Sequence, residues 1–131
     1  MRKNITKFSK IESTSCDLIF FNRINSYIKK LERVFFLISK RSCVRGNHAH
    51  KKCSQFFFSL KSNVTLLTND GKNEKKIILK YGEIIKIKPL IWVKVKLKKN
   101  QIVGVLCNKK YAKNDYIRDF NYFLKLIKKQ K

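Results

Sequence analysis

The sequence predicts an all-β fold: a barrel or jelly roll of short antiparallel strands, followed by one packed C-terminal helix. Three observations predict it. The middle of the chain is a succession of short runs rich in Ile, Val and Phe, turn residues separate several of them, and the apolar period lengthens beyond residue 114. With 131 residues, 44% hydrophobic content, ten Phe and five Tyr, the chain is expected to form a single domain over 1–131 around one core.

The strand candidates in order are residues 18–21, 33–38, 48–60, 64–68, 75–79, 83–88, 91–97 and 102–107. Asn69-Asp70-Gly71-Lys72 is the clearest hairpin signal, because Asn, Asp and Gly tolerate positive φ. Tyr81-Gly82 and Asn100-Gln101 are weaker breaks. The cleanest alternation runs from Ile91 to Lys98, with apolar residues at odd positions and Lys94, Lys96 and Lys98 on the other face. That pattern belongs to a half-buried antiparallel strand. Trp92 falls on the lysine side unless a bulge near Pro89 shifts the phase. From Asn114 to Lys129 the apolar residues Tyr116, Phe120, Phe123, Leu124 and Ile127 form a helical stripe. Asn114 or Asp115 is placed to cap its start, and Lys125, Lys128 and Lys129 suit its C-terminal end.

The net charge is +24, from 32 basic and 8 acidic residues. Such a field favours anionic ligands. Only six of the basic residues are Arg, however, and recognition of phosphates and bases leans on Arg forks. Most of the lysines therefore read as solvated surface. The aromatics sit inside apolar strands, as in Phe56-Phe57-Phe58, rather than on an exposed platform. No nucleic-acid role is expected. The basic N-terminus lacks a following apolar core, so no signal peptide is expected. No apolar run approaches the ~18 residues of a membrane helix, so no membrane insertion is expected, and the predicted location is the cytoplasm. Cys16, Cys43, Cys53 and Cys107 show no Cys-x-x-Cys spacing and read as free, mostly buried thiols.

The two histidines of the chain, His48 and His50, lie two positions apart within Arg45-Gly46-Asn47-His48-Ala49-His50. On an extended strand they project from the same face. Three readings compete: two core histidines, a metal site, or acid–base chemistry. Burying unpaired imidazoles is costly. A metal needs a third and usually a fourth ligand, yet there is no third histidine. Where a carboxylate would help, the chain has Gln55, and Arg45, Lys51 and Lys52 make the surroundings cationic. Acid–base work fits best. Imidazole titrates near neutrality, and nearby cations keep it neutral, as a base must be.

The stretch from Arg45 to Gln55 resembles the signature of the dTDP-4-keto-6-deoxyglucose 3,4-ketoisomerases, the WxcM-like group of cupins. Further likenesses come in the same order: Arg33-Val34-Phe35-Phe36, Asp70-Gly71, Pro89-Leu90-Ile91-Trp92, and Asp115-Tyr116-Ile117-Arg118-Asp119-Phe120 with Phe123. The resemblance covers most of the chain. It implies a cupin jelly-roll barrel without cofactor or catalytic metal, usually a homodimer with exchanged N-terminal strands. The implied substrate is a dTDP-linked 4-keto-6-deoxyhexose, whose keto group moves from C4 to C3 on the way to 3-amino sugars of surface glycans. By the same resemblance His48 and His50 are the acid–base pair. Arg33, Arg45, Lys52, Gln55, Trp92 and Tyr111 are the implied substrate-binding residues, with Arg118 as a further candidate.

The chain also departs from the family pattern. Ser13 to Leu18 stands where the family commonly carries Asp-x-Arg-Gly-x-Leu, and Phe35 and Phe36 stand where it often carries Tyr. Residues 93 and 94, often polar in the family, are Val and Lys, and the loop over 40–44 reads as one residue short. These differences motivate an alternative: a sugar-nucleotide or glycan binding cupin without turnover.

Overall fold

Residues 5–130 are described in a computed structural model of the chain. Its strands are β1 (Ile5–Lys7), β2 (Ser9–Ile11), β3 (Leu18–Phe20), β4 (Arg33–Ile38), β5 (Cys43–His50), β6 (Gln55–Leu60), β7 (Val64–Asn69), β8 (Glu74–Leu79), β9 (Glu83–Ile87), β10 (Trp92–Leu97), β11 (Ile102–Cys107) and β12 (Tyr116–Ile117). The single α-helix is α1 (Phe120–Lys129). Two five-stranded sheets carry the fold, in the orders β1-β9-β6-β11-β4 and β12-β5-β10-β7-β8, and β2 and β3 form a separate hairpin. The strand ladders within them are antiparallel. The architecture is all-β with one C-terminal helix, as the strand pattern predicts.

Strand alternation sorts the side chains into three apolar layers. Between the sheets, Phe57, Ile85, Val103 and Val105 of one meet Leu66, Val93, Val95 and Leu97 of the other. The outer face of the first sheet, with Phe56, Phe58 and Leu106, is covered by Phe8, Phe21, Tyr27 and Ile28 from the N-terminal segment. The outer face of the second sheet presents Ala49 and Trp92 to Ile117 and to Phe123 of α1. Gly104 makes the first sheet possible. It stands opposite Phe58 in the ladder, and a Cβ there would lie 2.1 Å from the Phe58 ring.

The structure corrects the sequence reading at four places. The run 48–60 is two strands, β5 and β6, broken by a turn over 51–54 that carries neither Gly nor Pro. The loop assigned to residues 40–44 gives up Cys43 and Val44 to β5. The helix starts at Phe120 rather than near Asn114. Asp119 caps it, accepting from the backbone N–H groups of Asn121 and Tyr122, while Tyr116 and Ile117 form β12. Two of the four thiols, Cys53 and Cys107, are buried; Cys16 and Cys43 are exposed.

Candidate active site

β5 holds the two imidazoles, and its backbone explains how they are aimed. Gly46 (φ 78°) and Asn47 (φ 60°) are consecutive residues in the left-handed region. Against β10 the register runs Val93↔His48 and then Lys94↔Gly46, so Asn47 is the extra residue of a β-bulge. Glycine is needed at 46 both for its φ and because a Cβ there would meet the Val93 carbonyl oxygen at 3.0 Å. Asparagine is among the residues that tolerate this conformation. The bulge places His48 opposite the inward-facing Val93, and His50 follows on the same inner face, while Ala49 points out toward α1. The imidazole centroids are 5.1 Å apart with the rings perpendicular.

β12 lies beside β5, with Tyr116 paired to His50 and Ile117 to Ala49. Tyr116 packs its ring 4.4 Å from His50 and 4.9 Å from His48. Asp115 precedes it. His50 Nδ1 donates to Asp115 Oδ2 at 2.9 Å, and the backbone N–H groups of Lys52 and Cys53 donate to the same carboxylate at 2.8 and 3.3 Å. Burial raises the Asp115 carboxyl, but these donors outweigh it and hold it below its ordinary range. A carboxylate accepts only, so His50 carries its proton on Nδ1 and presents a lone pair at Nε2. That Nε2 is buried and without a hydrogen-bond partner.

His48 is fixed in the same tautomer: its Nδ1 donates to the Gly46 carbonyl at 3.0 Å. Burial, then the charges of His50 and Arg118, push its ring down to about 4. Burial likewise lowers His50, against the opposing pull of Asp115. Both rings are therefore neutral at neutral pH.

His48 and Tyr116 line a cavity of about 390 Å³, together with Phe35, Leu37, Arg45, Gln55, Phe57 and Arg118; His50 packs against both rings. Arg33 donates through Nη2 to the Tyr116 hydroxyl at 3.0 Å and lies 4.9 Å over the Phe35 ring. Three of the six arginines thus gather here, whereas no lysine lines this cavity among the described residues. Gln55 Oε1 and Arg33 Nε are buried without partners, as is His50 Nε2. Gln55 lines the cavity, and His50 and Arg33 pack against Tyr116 on its wall, so unmet hydrogen-bonding capacity gathers beside the place where a polar ligand would sit. Gln55 Nε2 and Arg33 Nη2 both donate to the buried Cys107 sulfur.

The structure thus brings together His48, His50, Arg33, Arg45 and Gln55, with Arg118 on the wall. Tyr111 is at the edge, 59% exposed, its ring 5.5 Å from Tyr116. Two residues are placed elsewhere. Trp92 is on the outer face of β10, on the lysine side as the alternation requires, and is buried because α1 covers it. Its indole N–H donates to Asn47 Oδ1 at 3.1 Å, so it braces the bulge from behind. The Lys52 side chain faces a different cavity, shared with Lys30, Lys51, Lys109 and Lys110, and only its backbone N–H serves the site, through Asp115. Sequence reasoning assigned Asp115 to a helix cap and gave Tyr116 no role in the site.

The fold and site define the class: a cupin-type barrel whose interior carries a paired-imidazole, arginine-ringed cavity suited to proton transfer on an anionic ligand. Residues 1–128 match the profile of the family described as "WxcM-like, C-terminal", exemplified by FdtA, and the chain belongs to that family. It is 26% identical over 132 residues to TDP-4-oxo-6-deoxy-alpha-D-glucose-3,4-oxoisomerase of Aneurinibacillus thermoaerophilus, covering 98% of this chain and 95% of the relative. WlaRA, a TDP-fucose-3,4-ketoisomerase from Campylobacter jejuni, superposes with a TM-score of 0.78 at 29% identity, covering 93% of each chain. The 3,4-ketoisomerase QdtA from Thermoanaerobacterium thermosaccharolyticum superposes with a TM-score of 0.83 at 26% identity, over 99% of this chain and 98% of QdtA. That QdtA structure is of a His-to-Asn mutant in complex with TDP-4-keto-6-deoxyglucose.

Proposed function

We propose that this chain is a nucleotide-sugar 3,4-ketoisomerase, acting as one domain over residues 1–131 on a dTDP-linked 4-keto-6-deoxyhexose. The observation that carries the reading is the neutral imidazole pair on one inner face of the barrel, with Asp115 behind His50 and an unpartnered Nε2 ahead of it. A base taking a proton from carbon must start neutral, and the ring that takes it is steadied by an adjacent carboxylate.

In this reading the pair removes the proton at C3 of the bound sugar, an enediol forms, and the proton is returned at C4. Arg45 and Arg118 on the wall, with Arg33 beside it, meet the anionic part of the ligand, and Gln55 Oε1 accepts from a sugar hydroxyl. The product is a 3-keto sugar, the substrate class of a transamination at C3. Among the described residues no three His, Cys, Asp or Glu side chains gather as a metal-binding group, and no helix is long and apolar enough to cross a membrane. The working location in this reading is the cytoplasm.

The working unit in this reading is a homodimer with exchanged N-terminal strands. Val34, Phe36 and Ile38 form an exposed apolar row on the edge strand β4, and Ile11 and Leu18 are exposed on the β2–β3 hairpin. Light scattering on the purified protein tests the assembly.

The test of activity is conversion of dTDP-4-keto-6-deoxyglucose, followed by proton NMR with and without EDTA. The 3-keto isomer is expected in both. His48→Asn and His50→Asn are each expected to lose ~10²–10⁴-fold in rate. Binding of the sugar nucleotide without isomerisation would replace this reading with that of a binding module.

A further inference from the structure

A side-chain amide has one donating end and one accepting end, and packing alone does not choose between them, because the two are nearly the same size. Gln55 is such a group. It is buried, lines the cavity, and leaves Oε1 without a partner. What makes the free end the oxygen lies one strand away.

β11 runs between β4 and β6, and its last residue, Cys107, pairs with Arg33 on one side and with Gln55 on the other. Directly opposed residues share a face of the sheet. The three side chains therefore form one rung on the inner face, where Cys107 belongs to the core between the sheets. Its sulfur is fully buried and receives a hydrogen from each neighbour, Gln55 Nε2 at 3.5 Å and Arg33 Nη2 at 3.7 Å. The Cys53 thiol faces it too, with the Ser54 carbonyl at 3.4 Å as the other acceptor in reach. No hydrogen bond from Cys107 to an acceptor is found among the described residues. Cys53, then Gln55 and Arg33, hold the Cys107 thiol below its ordinary range, against the effect of burial. An electron-rich sulfur facing donors attracts the amide nitrogen and repels the amide oxygen. Without it, Oε1 would be drawn across the rung toward the Arg33 guanidinium, and the N–H₂ end would turn to the cavity. Arg33 itself keeps a second anchor, the Tyr116 hydroxyl at 3.0 Å.

We propose that Cys107 is a positioning residue: its sulfur fixes which end of the Gln55 amide faces the cavity, so that a sugar hydroxyl meets an oxygen acceptor there and not an N–H donor. This rests on the reading of the cavity as a sugar-nucleotide site. Cys107 touches no ligand in this arrangement and exchanges no proton with one. It acts through Gln55.

The experiment uses the full chain with dTDP-4-keto-6-deoxyglucose as substrate and TDP, which has no hexose, as inhibitor. Cys107→Ala is expected to raise the KM for the sugar nucleotide ~3–10-fold. Inhibition by TDP should stay within about twofold, since the lost hydrogen bond goes to the sugar. In a Gln55→Leu background the same change should cost less than about twofold, because the group it acts through is gone. A merely structural thiol would weaken sugar nucleotide and TDP alike, and would cost as much with Leu at position 55 as with Gln; either result overturns the assignment. So does an unchanged KM in Cys107→Ala, which leaves the ketoisomerase reading standing. Should Cys107→Ala not fold, Cys107→Val fills the space without an acceptor and decides by the same comparisons. If wild type binds the sugar nucleotide without turnover, the ketoisomerase reading falls and calorimetric affinities for the two ligands decide the role of Cys107. If wild type binds neither, both fall.

Discussion

His50 and Asp115 are 65 positions apart in sequence and meet at 2.9 Å, with the carboxylate also receiving two backbone N–H groups from the turn that follows β5. The contact sets which nitrogen of His50 faces inward and supplies the counter-charge for its protonated form. Asp115→Asn keeps the shape and removes the charge. Its kcat is expected to drop ~10²-fold or more. Nitrogen-15 NMR of the imidazole should show a loosened tautomer preference; a variant with full activity would reduce Asp115 to a structural clamp.

Stability should fall on mild acidification. His48 is held down from 6.5 to about 4 in the folded chain, chiefly by burial and then by His50 and Arg118. Between those values the unfolded chain binds a proton at this ring that the folded chain refuses. The contribution of this ring is therefore fully present above pH 6.5 and is lost as the pH falls toward 4. His50 is shifted in the same direction. Thermal unfolding across this range should fall steeply for wild type and less steeply for His48→Phe; identical slopes would contradict the burial of a neutral ring.

Trp92 separates packing from bracing. Trp92→Ala empties the layer under α1, where the indole is 4% exposed, and should cost about 3–5 kcal/mol in a denaturant titration. Trp92→Phe keeps much of the packing and loses the bond to Asn47, at about 1 kcal/mol. Its larger effect should be on kcat, through the bulge that aims His48. Equal losses of activity and stability in Trp92→Phe would argue that the indole acts by packing alone.

Gly104 is expected to tolerate no side chain. A methyl group would overlap the Phe58 ring, which is itself packed edge-on against Phe8, Phe21 and Phe36. Gly104→Ala should destabilise by about 1–3 kcal/mol or more, read as a lowered denaturation midpoint. The site residues do not contact this position, so activity per folded molecule should persist.

The strands with strong alternation or dense β-branched content were legible to within a residue or two. β4 and β11 match their sequence assignments end to end. β1 and β2 were missed because Ile5-Thr6-Lys7 and Ser9-Lys10-Ile11 are three-residue strands with polar centres. The turn between β5 and β6 was missed because Lys51-Lys52-Cys53-Ser54 contains no strong breaker. The imidazole pair was readable because a period of two decides facing locally. Trp92 was assigned to the cavity through resemblance, whereas the alternation had already put it on the opposite side of the sheet. Asp115 and Tyr116 stood in a stretch that carries the family likeness, but their part in the site was not legible, for a different reason. Their partners come from β5 and β4, and nothing local in Lys113-Asn114-Asp115 announces a contact across more than sixty residues.

Chains are made from the N-terminus, and this one delivers its histidines early and their chemistry late. Asp115, Tyr116 and Arg118 come from the stretch after β11, tethered by two residue pairs to β5 and by the seating of α1 on Ala49 and Trp92. A nascent chain on the ribosome that has made everything through Cys107 already has both imidazoles, yet neither the counter-ion nor the phenol beside them. A protease that cuts between residues 107 and 115 and releases the remainder would leave the same half-equipped barrel. Competence for the reaction therefore reports that translation ran through this stretch and that it docked.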